Sequence, residues 1–260
     1  MTDLVLTQDR GAVRHLSLNR PEKRNAFNEE LVLAVGEALR AAADDPEVHC
    51  VVLRGEGAMF SSGMDLGSLA GLASAPEQLR PFRRACLDAW NLAEEMAKPT
   101  ICQIHGACIG GAMELALACD LRVIAADALV GMPETRIGLI PDVGGSSRLP
   151  QIVGLGRAKE LIMTGRLIGG EEAERIGLAN RVAPAGELDD ATQTLVDELL
   201  ACAPVAVGLA KRVMDASARP ALAATLELEV AIQERCARSE DFAEGAAAFR
   251  EKRPPEFSGR

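Results

Sequence analysis

The sequence predicts an α/β protein in which a core of alternating strands and helices precedes a helical C-terminal part. Short alternating or apolar runs, typical of strands, recur up to residue 132, and segments with helical periodicity separate them. After about residue 143 the strand signal almost disappears and helical patterns take over. Because strands and helices alternate in the first part, we expect parallel strands joined by right-handed crossovers.

The core elements follow one another in a regular order. Strands are predicted at 12–18 (AVRHLSL), 48–54 (VHCVVLR), 100–105 (TICQIH), 120–125 (DLRVIA) and 129–132. Helices are predicted between them, at 28–43, 76–97 and 110–118. The first helix has clear end signals, with Asn28 as its N-cap and Pro46 beyond its last turn.

The C-terminal part is predicted to be almost entirely helical. Its helices are expected at 156–164, 170–177, 186–202, 204–216, 220–238 and 240–250, and a short apolar stretch at 178–182 is the exception. Phe242 and Phe249 lie seven residues apart on one helical face, which indicates a packed tail. We therefore divide the chain into a core at 1–197 and a helical region at 198–260.

Composition limits the classes of partner. At 260 residues, with 48% hydrophobic and 25% charged residues, the chain can bury one large core. Its net charge of -10 opposes attraction to phosphate backbones, so nucleic acid is not expected as a partner. No basic leader and no apolar run of about 18 residues is present, so we expect a cytoplasmic protein without a membrane span. The seven scattered cysteines form no C-x-x-C motif and are expected to be reduced.

Several catalytic signatures are missing from the sequence. It contains no G-x-x-x-x-G-K-[ST], no G-x-G-x-x-G after the first strand and no G-x-S-x-G, which argues against phosphoryl transfer, Rossmann hydride transfer and α/β-hydrolase chemistry. The three histidines, His15, His49 and His105, do not pair with a cysteine or carboxylate at metal-ligand spacing. We therefore expect no metal site and interpret His105 as structural.

A glycine-rich strand-to-helix connection carries the first chemical signal. In TICQIHGACIGGAMELALACD at 100–120, an apolar strand runs into Gly106, Gly110 and Gly111 and then into a helix. The N–H groups of a first helical turn lack intrahelical acceptors and suit a carbonyl oxygen that gains negative charge, as in an oxyanion hole. Close packing of the helix on the strand would explain the same glycines. The small residues of GEGAMFSSGMDLGSL at 55–69 permit another exposed N–H, although this segment alone reads as a polar loop.

Three acidic residues are candidates for proton transfer. Glu114 lies three residues after Gly111 in an otherwise apolar helix, and the capping box that would explain it needs Ser or Thr at position 111. Glu134 follows a strand and a proline, and by itself would more often be a solvated charge; its case depends on pairing with Glu114. Asp142 precedes Gly144 and Gly145 and is interpreted as a helix N-cap.

Together these segments resemble the enoyl-CoA hydratase/isomerase, or crotonase, superfamily. The similarity covers nearly the whole chain, through NRPEKRNAFN at 19–28, FSSGMDL at 60–66, HGACIGGAMELALACD at 105–120, PETRIGLIPDVGGSSRLP at 133–150 and FAEGAAAFREKRPPEF at 242–257. Each motif is weak alone, and their order and spacing carry the match.

The resemblance implies a spiral of ββα repeats with a C-terminal helical trimerisation region, assembled as a trimer or a dimer of trimers. The implied substrate is an acyl-CoA thioester, with no further cofactor because coenzyme A is part of the substrate. The thioester carbonyl would lie between the backbone N–H groups of Met64 and Gly111. The implied coenzyme A contacts are Arg24, Ser62, Asp65, Leu66 and Gly67. Lys252 would either reach a neighbouring subunit's ligand or be an exposed tail lysine.

The resemblance also implies a mechanism, and it leaves alternatives open. In a hydratase, Glu114 would deprotonate the water that attacks C3, and Glu134 would deliver a proton to C2. A double-bond isomerase would need only Glu134 as proton carrier. Asp142 occupies the position of a catalytic aspartate in the dienoyl-CoA isomerase branch, but Glu114 stands where that branch has a second aspartate. A catalytically silent acyl-CoA-binding scaffold is the alternative from another class.

Overall fold

The computed structural model describes residues 3–65, 67–68, 78–219 and 221–258. The strands of these residues are β1 (Val5–Arg10), β2 (Val13–Leu18), β3 (Cys50–Gly55), β4 (Thr100–Ile104), β5 (Ala107–Ile109), β6 (Leu121–Ala125), β7 (Leu129–Gly131), β8 (Ile168–Gly169) and β9 (Arg181–Ala183). The α-helices are α1 (Glu29–Asp44), α2 (Leu79–Glu95), α3 (Gly111–Ala118), α4 (Gly145–Val153), α5 (Leu155–Thr164), α6 (Gly170–Arg175), α7 (Leu188–Leu200), α8 (Pro204–Ala218), α9 (Leu222–Ala237) and α10 (Glu240–Glu251). The predicted order of an α/β core followed by helices is confirmed.

The larger sheet carries the core. Its order is β1-β2-β3-β4-β6-β9, in which β1 and β2 are antiparallel and the other neighbours are parallel. The parallel strands β2, β3, β4 and β6 agree with the sequence prediction. β1 escaped prediction because VLTQDR is largely exposed and lacks apolar alternation. It joins the sheet edge through its backbone hydrogen bonds.

Helices α1 and α2 bury their apolar faces in the main core. Asn28 caps α1 as predicted, since its Oδ1 accepts a hydrogen bond from the N–H of Leu31 at 3.1 Å. Phe27, just before this cap, packs edge-on against Trp90 of α2 with ring centroids 5.1 Å apart. This contact fixes the chain just ahead of α1 against the core.

A smaller sheet, with the strand order β5-β7-β8, borders the segment around residue 62 and the start of α3. β5 follows β4 and leads directly into α3. Isolated bridges pair Ser61 with Cys108 and Phe27 with Met64. The small-residue loop around residue 62 therefore lies beside the first turn of α3.

The C-terminal helices pack back onto the core. Phe242 of α10 is buried, whereas Phe249 is 55% exposed, so the tail is packed as predicted but only one of the two rings is enclosed. The cap assigned to Asp142 implied a helix after it, but no range was predicted for α4, because this helix begins with glycine and contains Pro150. The predicted boundary between residues 197 and 198 lies inside α7, and the division into two regions stays a prediction.

Among the described residues, no single helix is long and apolar enough to cross a membrane. The segments Ala185–Leu200 and Pro204–Ala218 meet the length and composition criteria only together, as a pair bent by 101°.

Candidate active site

A cavity of about 400 Å³ lies where the loop around residue 62, the start of α3 and the C-terminal helices meet. The predicted residues on its wall are Ser62, Met64, Gly111, Glu114, Glu134 and Asp142. Residues far apart in the sequence thus line one cavity. Phe249 and Arg253, from α10 and the segment that follows it, also line it.

Two backbone N–H groups are left free on the cavity wall. The carbonyl of Gly63 and the N–H of Asp65 both bond to Phe27, so the intervening N–H of Met64 points to the other side of this segment. Gly111 is the first residue of α3, and its N–H has no intrahelical acceptor. Neither N–H group donates a hydrogen bond to any described residue. Their arrangement suits an oxygen that acquires negative charge.

Glycines allow these two backbone segments to approach. A Cβ on Gly63 would lie 2.4 Å from the carbonyl oxygen of Ile109 and 3.6 Å from the nitrogen of Gly111. Gly110, with φ of 56°, turns the chain from β5 into α3. A larger residue at Gly63 would push the loop away from the start of α3.

Glu114 is the one acidic side chain of α3, and it is buried. Its Oε1 accepts hydrogen bonds from the N–H groups of Val143, at 2.9 Å, and Gly145, at 2.8 Å. It does not cap the helix, because α3 has no side-chain cap. Burial raises the pKa of Glu114 well above its usual value, and the negative charges of Glu134, Asp142 and Glu229 raise it further.

Glu134 begins a short 3₁₀ turn, Glu134–Ile137, directly after Pro133. Its Oε2 is buried and has no hydrogen-bond partner among the described residues. A Cβ on Gly110 would lie 2.7 Å from the other carboxyl oxygen, Oε1, so Glu134 abuts the turn that opens α3. Burial raises the pKa of Glu134 to about 8, against the opposing effect of a hydrogen bond from its own backbone N–H and with a smaller rise from Asp142.

Asp142 is not a helix N-cap, and that prediction was wrong. Gly144 occupies the cap position of α4, where no side chain accepts a hydrogen bond. Asp142 lies two residues earlier because Gly144, with φ of 108°, allows the chain to turn before the helix begins. Burial raises the pKa of Asp142 to about 7, against the opposing effect of Arg83 and with a further rise from Glu229. The cavity therefore holds a third carboxyl group.

Of the described residues expected to contact coenzyme A, one lines the cavity. Ser62 lines the cavity, and Arg24 is exposed in a left-handed conformation. Asp65 pairs with Arg20 at 2.9 Å and accepts a hydrogen bond from the N–H of Gly67 at 2.8 Å. Their roles in binding stay predictions. Leu66 lies outside the described residues.

Sequence reasoning missed part of the supporting framework of the site. Arg83 on α2 and Glu229 and Gln233 on α9 are buried polar residues that contact the segment carrying Asp142. The signal in the sequence was Glu229 between apolar neighbours in LELEV, the same kind of signal that identified Glu114. His105 forms a hydrogen bond between Nε2 and the Gly57 carbonyl at 2.9 Å, in agreement with its structural interpretation.

Comparison with known proteins gives consistent matches over nearly the whole chain. A family model described as enoyl-CoA hydratase/isomerase matches residues 8–260. The chain is 35% identical to enoyl-CoA isomerase/hydratase fer4 of Mycosarcoma maydis, over 95% of this chain and 93% of that protein. It is 34% identical to crotonyl-CoA hydratase of Syntrophomonas wolfei subsp. wolfei, over 93% of each. A crystal structure of an enoyl-CoA hydratase from Mycobacterium avium subsp. paratuberculosis superposes with a TM-score of 0.88 at 27% identity, covering 98% of both chains.

Proposed function

Since the chain belongs to the enoyl-CoA hydratase/isomerase family and has the crotonase fold, we propose that it is an enoyl-CoA hydratase that adds water to trans-2-enoyl-CoA thioesters. Family membership identifies an enzyme of acyl-CoA thioesters, and the choice of hydration over isomerisation is our proposal. It is supported by the chemistry of the two glutamates.

The observation that carries the proposal is the opposite hydrogen bonding of Glu114 and Glu134. Two N–H groups of a distant segment donate to Glu114, which favours its ionised form. The carboxyl group of Glu134 has only its own backbone N–H as donor, and its buried Oε2 has no partner among the described residues, which favours a proton there. Two buried carboxyl groups that repel each other also resist double ionisation. A pair that holds one proton in this way, on Glu134, lets Glu114 act as base while Glu134 acts as acid.

This arrangement provides the hydrogen-bond donors, the base and the acid that hydration requires. The thioester oxygen accepts hydrogen bonds from the N–H groups of Met64 and Gly111, which stabilise the enolate by about 3 kcal/mol per donor. Glu114 takes one proton from water as the water oxygen bonds to C3, and Glu134 gives its proton to C2. The net change is the addition of one water molecule. Proton exchange from Glu114 to Glu134 through solvent restores the starting state.

The test follows the loss of the conjugated double bond in short and medium trans-2-enoyl-CoA esters. Glu114→Gln and Glu134→Gln keep side-chain size and should each lower kcat by about 100-fold or more, since each removes one proton transfer. The exposed Glu227→Gln on α9 is the matched control and should keep wild-type kcat. A wild-type protein that hydrates none of the esters, or two active-site variants with full activity, would contradict the proposal.

A second substrate distinguishes the alternatives. If wild type and Glu114→Gln convert a 3-enoyl-CoA ester and Glu134→Gln does not, the protein is an isomerase with Glu134 as its single proton carrier. If the wild type binds the esters and converts none, it is an acyl-CoA-binding scaffold.

We also propose that the chain assembles with copies of itself, as a trimer or a dimer of trimers. Helix α8 exposes Val205, Leu209 and Val213, spaced four residues apart, with 74%, 55% and 69% of their surfaces accessible. An exposed apolar stripe of this kind is typical of an interface. Light scattering coupled to gel filtration should give three or six chains for the wild type and a smaller species for Val213→Glu. A wild-type monomer would contradict the proposal.

A further inference from the structure

Three consecutive backbone N–H groups at the start of α4, those of residues 143–145, donate hydrogen bonds to two different glutamates. The N–H groups of Val143 and Gly145 donate to Oε1 of Glu114, whereas the N–H of Gly144 between them donates to Oε2 of Glu229 at 2.9 Å. The two carboxylates therefore bind opposite sides of one short stretch of backbone. Its shape depends on glycine, because Gly144 has φ of 108° and a Cβ on Gly145 would lie 2.8 Å from Oε1 of Glu114.

Glu229 is held at both of its oxygens. It is 4% exposed, and its Oε1 accepts a hydrogen bond from Oγ of Ser147 at 2.5 Å. One helical turn later on α9, Oε1 of Gln233 accepts the N–H of Ile140 at 3.0 Å. Helix α9 thus forms hydrogen bonds with three residues of the 140–147 segment, namely Ile140, Gly144 and Ser147.

Arg83 supplies a positive charge beside the carboxylate of Glu229. Its Nε donates to the carbonyl oxygen of Asp142 at 2.6 Å, and its Nη2 donates to the carbonyl oxygen of Leu226. The same Nη2 lies 4.0 Å from Oε2 of Glu229. A buried carboxylate needs such a partner, because an unpaired one costs several kcal/mol.

From these contacts we infer that Glu229 is a positioning residue of the active site, which holds the 143–145 backbone so that its N–H groups orient Glu114 for proton transfer. Helix α9 then contributes to catalysis without touching the reacting atoms. The inference rests on the proposed function, since it assigns Glu229 a role only through Glu114.

Charge gives Glu229 a second effect that a merely structural residue would lack. The charged and titratable groups that face it are Arg83 from α2, Asp142 from the segment before α4, and Glu114 from α3. The negative charge of Glu229 contributes to the raised pKa of Glu114 and of Asp142. Removing that charge should lower the pKa of Glu114 and move the acid limb of the kcat profile to lower pH.

Two substitutions separate position from charge. Glu229→Gln keeps the length and removes the charge, whereas Glu229→Asp keeps the charge and shortens the reach by one methylene. We expect both to lower kcat for a trans-2-enoyl-CoA ester by about 10- to 100-fold with KM nearly unchanged, because a small displacement of the base is costly. The acid limb should move to lower pH in Glu229→Gln and stay in place in Glu229→Asp. Glu227→Gln, an exposed charge removal on the same helix, should match wild type.

Kinetic constants are compared per folded protein, with circular dichroism and thermal unfolding measured on each sample. The inference is overturned if Glu229→Gln has wild-type kcat, or if its kcat falls while the acid limb does not move. If Glu229→Gln does not fold, Glu229→Asp decides, and wild-type kcat in that variant overturns the inference.

A measurement without turnover keeps the inference distinct from the proposed function. Carbon-13 NMR of protein labelled at the glutamate carboxyl groups, with Glu114 assigned by loss of its signal in Glu114→Gln, gives the pKa of Glu114 directly. A lower pKa in Glu229→Gln supports the inference even if the wild type hydrates no ester, and an unchanged pKa overturns it.

Discussion

Raising the pH should remove the proton that the proposed acid, Glu134, donates. The pKa of Glu134 sets the size of the expected loss of kcat. Burial and the neighbouring Asp142 raise the pKa of Glu134 to about 8. A group with that pKa is about 90% protonated at pH 7 and about 10% protonated at pH 9. Because hydration requires the protonated form, kcat should fall about tenfold between these two values.

The assay measures kcat at saturating trans-2-enoyl-CoA from pH 6 to pH 9.5, by the loss of absorbance of the conjugated thioester. Asp142→Asn removes a negative charge that raises the pKa of Glu134, so the alkaline limb should move to lower pH. The exposed Asp127→Asn is the matched control and should leave the limb in place. A kcat that stays constant up to pH 9.5, or a limb that Asp142→Asn leaves unmoved, would refute this reasoning.

The remaining predictions concern geometry and stability. Gly110→Ala should lower kcat by about 100-fold, because the new Cβ would lie 2.7 Å from Oε1 of Glu134 at a position with φ of 56°. The control is Gly156→Ala, whose Cβ would meet nothing within 4 Å and which should keep wild-type kcat. Equal effects of the two substitutions on kcat would count against this reasoning. Arg148→Met should lower the free energy of unfolding in urea by about 1–3 kcal/mol, because it removes the ion pair of fully buried Arg148 with Glu94 at 2.7 Å while Arg219 still pairs with Glu94; a loss below about 1 kcal/mol would contradict it. Burial lowers the pKa of His15 to about 4, so the unfolded chain binds a proton at this site first and the contribution of His15 to stability should fall as the pH drops from 6.5 to 4. His15→Gln should abolish that loss, at most about 3 kcal/mol, and an identical pH dependence of unfolding in both proteins would exclude His15 as its source.

The strands and helices of the core could be predicted because their signals are local. Apolar runs identified β3 and β4, and the Asn28 cap identified the start of α1, since each depends on neighbouring residues. β1 was missed because a polar edge strand owes its pairing to backbone hydrogen bonds with β2. α4 was missed because its first residue is glycine and tertiary contacts with Glu114 and Glu229 stabilise its first turn.

The candidate site was partly predictable for the same reason. Glu114 stood out as a charge in an apolar helix, and the glycines before it indicated exposed N–H groups. The orientation of Asp142 could not be predicted, because a cap and a cavity-lining carboxyl have the same local sequence, and only the turn at Gly144 distinguishes them.

By itself, the sequence determined the α/β core, the order of its main elements and the acidic residues available for proton transfer, because periodicity and composition are properties of neighbouring residues. Only the tertiary structure decided which carboxylate receives hydrogen bonds from a distant segment. Those donors are Val143 and Gly145 at the start of α4, and Glu229 on α9 binds Gly144 between them. The physical reason is that burial and hydrogen bonding, which set the protonation of Glu114 and Glu134, arise between residues far apart in the chain.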